Sequence, residues 1–170
     1  MNDRAPAPGG LALIESLVNT LSVDTGADAL DSEVGRAAFG LGEAEVPAAR
    51  ELREALRAAC LAHAGHTAPG RRASDLDRIL AGAPLRVRVD DAGSATLRPA
   101  AEPADLASRV AAAIAEAAAD GTWARLKACQ AEDCLWAYYD RSPAGRSRWC
   151  SMAVCGSRAK MRAYRSRRGG

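Results

Sequence analysis

Four cysteines near the C-terminal end limit what this chain can fold into more than any other feature. Cys129 and Cys134 have four residues between them, Cys150 and Cys155 again have four, and fifteen separate the two pairs. Each close pair can place two sulfurs on one ion, and the longer connection can run out and back as a hairpin so that both pairs meet at one tetrahedral centre. Thiolate suits zinc, and four protein ligands leave no open position for water, so the expected ion is structural and not catalytic. Two disulfides and an iron–sulfur cluster are the alternatives. The symmetry of the pairs and the lack of a secretion signal favour zinc.

Charge divides the chain at about the same place. From Thr122 onward there are eleven Lys and Arg against three acids, a net +8, while the preceding part carries a net −6. An acidic sensing or dimerising body joined to a basic contact module would have this division. Four thiolates around one zinc ion would take back two charges and leave the module at about +6. The apolar fraction of 48% is supplied largely by alanine, and aromatics are only 4%. Helices are therefore favoured and large core side chains are scarce. The apolar run from Leu11 to Leu21 is too short for a membrane span and carries Glu15 and Asn19. A cytoplasmic protein with reduced thiols and no membrane partner is expected.

Residues 1–10, rich in proline and glycine, read as a disordered arm. Ile14, Leu17, Val18 and Leu21 then repeat at helical spacing, with Asn19 and Thr20 expected to cap the helix or, alternatively, to line a pocket. A second helix is expected over 28–39 and a third from Pro47 to about Ala64, with Leu52, Leu56, Cys60 and Leu61 as its apolar stripe. Cys60, His63 and His66 stand three apart, a spacing that suits ligands of a second metal. Gly65 breaks the helix between them and no fourth ligand is near, so a buried thiol and two solvent-facing histidines are expected instead. Ser74 is expected to cap a short helix to Ala81. Alternation in Leu85, Val87 and Val89 predicts a half-buried strand, which turns at Asp90–Gly93 and returns over 94–98. A long alanine-rich helix from Pro103 to Ala119 ends at Asp120 and Gly121, which is taken as the close of the first domain.

The second part, 122–170, has strand character at 123–128, at 135–139 and at 146–149. A module this small must be held by its metal and its aromatic rings. Beyond Cys155, Gly156 allows a sharp turn, Ser157 can cap, and Arg158–Arg167 reads as a helix. At roughly 100° per residue, Met161, Tyr164 and Arg168 share one side, which is expected to lie on the zinc hairpin. Arg158, Arg162 and Arg165 then form one cationic ridge and Lys160 and Arg167 another, with only Ala159, Ala163 and Ser166 between them. Small residues between two cationic ridges would let the helix approach a groove while long side chains reach phosphates. A solvated basic helix is the plainer alternative.

Cys129-Gln-Ala-Glu-Asp-Cys134, Tyr139-Asp140-Arg141-Ser142, Arg148-Trp149-Cys150-Ser151-Met152, Cys155-Gly156-Ser157-Arg158-Ala159-Lys160 and Tyr164-Arg165 together resemble the CGNR zinc finger. Ser157 stands where that motif has asparagine. The stretch from Ile14 to Asp24, with Leu17-Val18-Asn19-Thr20, resembles the opening of the ABATE domain that precedes this finger in bacterial proteins regarded as stress-induced transcription regulators. The resemblance implies a bacterial DNA-binding protein with its finger at the C-terminus.

The expected architecture is mainly α with small β-hairpins, an α+β fold: a helical domain over 11–121 containing one hairpin, followed by the finger over 122–170. Cys129, Cys134, Cys150 and Cys155 would hold one structural zinc. Arg141, Arg146, Arg148, Arg158, Lys160, Arg162, Arg165, Arg167 and Arg168 would bind duplex DNA, chiefly through phosphates. The first domain would sense a signal, with room for a small-molecule ligand, or form a homodimer. The alternative is an adaptor whose basic finger docks on an acidic protein. No nucleophile, base and orienter stand together and no phosphate-binding glycine loop occurs, so an enzyme is not expected.

Overall fold

The computed structural model describes residues 5–67 and 73–168, and the fold is α+β as expected. Helix α1 (Leu11–Val18) buries Leu11, Ile14, Leu17 and Val18, and Asn19 caps its end through its backbone N–H. Asp28 and Ser32 each accept a backbone N–H, from Leu30 and Gly35, and each starts a new turn. For that reason the single helix expected over 28–39 is a 3-10 turn, Ala29–Asp31, followed by the short helix α2 (Glu33–Ala37).

Helix α3 (Val46–His63) opens with proline in its first turn, as expected, and buries Leu52, Leu56, Cys60 and Leu61. It is the central element, packing on α1, on α4 (Ser74–Leu80) and on strand β3 (Leu126–Ala128). Ser74 lies inside α4 and does not cap it. Strands β1 (Leu85–Val89) and β2 (Ala95–Pro99) form an antiparallel hairpin, with the Asp90 carboxylate accepting from the N–H groups of Ala92 and Ser94 at the turn. The expected half-burial fails here, because α5 (Leu106–Ala119) lies mainly along β2 and leaves Val87 and Val89 66% and 61% exposed. Helix α5 begins at Leu106 and not at Pro103, since the Asp105 carboxylate accepts from the Ser108 N–H and sets the start. Its contact with α1 is close: a Cβ on Gly10 would stand 2.7 Å from the Cβ of Ala113.

Strand β3 pairs antiparallel with β4 (Ala137–Tyr139), joining Leu126 to Tyr139, Lys127 to Tyr138 and Ala128 to Ala137. The expected hairpin between the cysteine pairs is therefore replaced by one wrapped around the first pair, and residues 146–149 form no strand. Alternation splits the ribbon between two cores. Leu126, Ala128, Ala137 and Tyr139 join the large cluster of α1, α3 and α5, whereas Tyr138 joins a small cluster with the cysteines, Ala131, Trp136 and Trp149. The larger core thus draws on both sides of Gly121.

Polar ties reinforce this shared wall. The Asn19 amide donates to the Ala137 carbonyl (3.0 Å) and accepts from its N–H (2.7 Å), so the side chain serves the ribbon as a further strand would. Buried Arg57 donates to Val18 O and Leu135 O, both at 2.8 Å, and to Glu54 at 3.2 Å. Arg53, also buried, bonds Thr20, Asp28 and Glu54. His63 is not solvent-facing: its Nδ1 lies 2.8 Å from Leu126 O and its ring meets Trp123 edge-on. His66 is exposed and Cys60 fully buried, as expected. Nor do residues 5–10 form a loose arm, because Ala7 is buried with its N–H on Glu15, and Arg141 donates to the carbonyls of Ala5 and Pro6. Residues 1–4 of that expected arm lie outside the described residues. Among the described residues no helix is long and apolar enough to cross a membrane.

Replacing Arg57 with alanine would strip the carbonyls of Val18 and Leu135 of this donor and leave Glu54 with Arg53 alone, and a loss of about 3–5 kcal/mol is expected. The urea midpoint reads it. Arg50→Ala, at the half-exposed rim of the same helix, should cost about 1 kcal/mol or less.

Candidate metal centre and basic helix

The first knuckle begins where the ribbon ends. The Cys129 N–H donates to Trp136 O at 2.9 Å, which extends the β3–β4 pairing by one rung. Ala131 O then receives the N–H groups of both Cys134 (2.9 Å) and Leu135 (3.1 Å), and Leu135 takes a positive φ of 52°. A left-handed leucine is sterically costly. The turn that needs it brings Cys134 back toward Cys129, and Arg57 holds the carbonyl of the same leucine. Backbone N–H groups of Ala131 and Cys150 donate to the Cys129 sulfur, and that of Trp136 donates to Cys134. Such donors stabilise thiolate.

The second pair is set by a π-helical turn, Met152–Gly156, whose first N–H groups are capped by the Ser151 hydroxyl accepting from Val154. This turn runs without a break into α6 (Ser157–Arg168). Gly156 serves closeness and not a turn: a Cβ there would stand 2.9 Å from the sulfur of the flexible Met152 side chain, which can shift, and 3.3 Å from the Trp149 ring. Ser157, expected as a cap, instead donates its hydroxyl to Met152 O at 3.1 Å.

All four sulfurs lie within 4.8 Å of one another, with Cys134 to Cys150 at 3.6 Å and Cys150 to Cys155 at 3.8 Å. A tetrahedron with Zn–S bonds of about 2.3 Å spaces its sulfurs by about 3.8 Å. These separations are too long for disulfides. They are also too short to admit the sulfides and several irons of a cluster. Protonation agrees with a cation site. Hydrogen bonds from the Cys134 and Cys150 thiols hold Cys129 far below the usual thiol range, its hydrogen bond with Cys129 pushes Cys134 up to about 12, and burial raises Cys155. A dication bound among the four sulfurs would balance the charge of their thiolate forms. The centre fits one structural zinc ion, held by Cys129, Cys134, Cys150 and Cys155, with no ligand position left over.

A buried ion pair braces the link between the pairs. Lys127 donates to Asp140 at 2.9 Å and also to Gly145 O, while Asp140 accepts from the N–H groups of Ser142 (3.0 Å) and Ser147 (2.9 Å). Burial alone would raise the Asp140 pKa, but the bonds from Ser142, Lys127 and Ser147 outweigh it and hold the carboxyl well below its ordinary range. Tyr138, fully buried, donates its hydroxyl to Ser147 O at 2.7 Å. Gln130 couples the knuckle outward, donating to Ala64 O and accepting from Arg148. Neither this ion pair nor the Gln130 bridge was read from the sequence.

Helix α6 does not lie as its periodicity suggested. No residue in it is buried, and Met161 and Tyr164 are 51% and 48% exposed. Arg158 and Arg162 lean toward Asp133 of the first knuckle, at 3.6 and 3.7 Å, and half-buried Ala159 is on the adjoining side. Ala159 therefore turns toward the finger, Ala163 and Ser166 are exposed, and the Met161–Tyr164 side is not packed on the zinc hairpin. Of the expected phosphate contacts, Arg146, Lys160 and Arg165 are exposed, Arg167 and Arg168 bond within the helix, and Arg168 also stacks on Tyr164. Arg148 is exposed but bonded to Gln130, and Arg141 is occupied by the N-terminal segment.

The purified chain should hold one zinc per molecule by elemental analysis. Chelation should abolish the near-ultraviolet circular dichroism of Trp136 and Trp149 while most helical signal from the body persists. Asp140→Asn should lower stability by about 2–4 kcal/mol at pH 7. Because the native carboxyl is depressed, its contribution is complete above about pH 4 and is lost as pH falls through the native pKa, so the parent and variant urea midpoints should converge in acid.

Residues 125–168 match the family model of the CGNR zinc finger. No curated protein matches the chain. The match covers the ribbon, both knuckles and α6, and leaves the helical body outside it.

Proposed function

We propose that this chain is a bacterial, cytoplasmic transcriptional regulator that binds duplex DNA through its finger. The single observation carrying this is α6: twelve residues with six Lys and Arg and no acid, exposed along their length, at the end of a rigid metal centre. Such a helix neutralises phosphates and releases counterions, which supplies most of a non-specific affinity. Exposed Arg146 adds to the same charge. Asp133 is no obstacle, since exposed pairs at 3.6 and 3.7 Å contribute little and a phosphate can replace the carboxylate. Exposed Arg141 donates to the carbonyls of Ala5 and Pro6 and would exchange them for a phosphate.

The body is the sensing or dimerising part, as the resemblance of Ile14–Asp24 to the ABATE opening implies. It has room for a small ligand in a groove of about 300 Å³ lined by Leu41, Ala48, Leu52, Ile79 and Leu106. Four protein sulfurs complete the zinc shell, so the ion shapes the finger and carries no reaction.

Fluorescence anisotropy of the full chain with a labelled duplex, between 50 and 200 mM salt, tests this. Replacing Lys160, Arg165 and Arg167 together with alanine should reduce the slope of log affinity against log salt by about 3. An unchanged slope removes α6 from the interface. No binding at the lowest salt, with an acidic protein captured instead, favours the adaptor.

A further inference from the structure

The proposed interface leaves one feature unused, the exposed apolar side of α6. In a helix of roughly 100° per residue, Met161 and Tyr164 face the same way, with Lys160 and Arg167 on one flank and Arg165 on the other. Val154, seven residues before Met161 in the same continuous helical run, is likewise about half exposed. Ala159 is half-buried while Met161 and Tyr164 are about half exposed, so this apolar side is open to a partner.

The flanking charges indicate what covers it. A second copy of the same helix would set six cations against six and be repelled. Two apolar side chains in twelve residues bury too little to hold a lipid surface. A polyanion with apolar groups between two rows of charge fits both parts of the pattern, and the major groove of duplex DNA has that form, with thymine methyl groups between phosphate strands. Resting on the DNA reading above, we infer that Met161 and Tyr164 are the specificity-determining residues of α6, touching base edges while Lys160, Arg165 and Arg167 hold the backbone on either side. Arg168, stacked 5.4 Å above the Tyr164 ring and bonded to its hydroxyl, positions that ring.

The test is selection of random duplexes by the full-length zinc-bound chain, followed by affinities for the selected and a scrambled duplex. Met161→Ala with Tyr164→Ala should reduce the ratio of the two affinities at least tenfold with the salt slope unchanged. Ala163→Leu, on the opposite side, should leave the ratio within about twofold. Zinc content and circular dichroism confirm that each variant is folded, which the exposure of all three positions favours. A parent with no preference for any duplex, or a preference that survives the double substitution, overturns the inference and leaves DNA binding standing. Collapse of the ratio in Ala163→Leu alone assigns reading to the small-residue side and also overturns it. Failure to bind any duplex at low salt overturns the DNA reading itself and this inference with it.

Discussion

Sulfurs held within 4.8 Å of one another cannot all be anionic unless a cation stands between them. Every feature of the finger follows from that constraint. The ribbon ends at Cys129, the left-handed Leu135 brings Cys134 around, the π-helical turn delivers Cys155, and α6 leaves the centre in the direction the turn sets. So small a cluster, with Tyr138, Trp136 and Trp149 as its only large rings, could not fix that direction by apolar burial alone.

The centre is fastened to the body by groups that rarely serve in cores. Arg57 reaches from α3 to the carbonyl beside Cys134, Asn19 pairs with a strand edge, and His63 abuts the start of β3. Each satisfies backbone groups that the irregular knuckle leaves without a ladder partner, which is where a buried polar side chain contributes most. A rearrangement of α3 would therefore be felt at Leu135, one bond from a metal ligand.

Much of this was legible in the sequence because the responsible signals are local. The cysteine spacing alone located the centre, alternation in Leu85–Val89 located the hairpin, and the stripe through Leu52, Leu56 and Cys60 located α3. What was not legible depends on distant partners. No local pattern marks Arg53 and Arg57 as buried, because Asp28, Glu54 and the two carbonyls that surround them come together only in the fold. The knuckle was expected as a loop leading to a hairpin, whereas it is the turn of the hairpin, since eight residues from Cys129 to Trp136 suffice to reverse the chain. The orientation of α6 was misjudged because an apolar side normally marks the core. Here the helix extends past the core, and Ala159 is its half-buried position.

One face of the β3–β4 ribbon belongs to the helical body and the other to the metal cluster. A transplantable cassette would have to end in solvent-compatible surface, and this one ends in Leu126, Ala137 and Tyr139. Exchange of such fingers between unrelated carriers therefore requires each new host to supply a matching hydrophobic seat, together with an asparagine and an arginine placed to meet it.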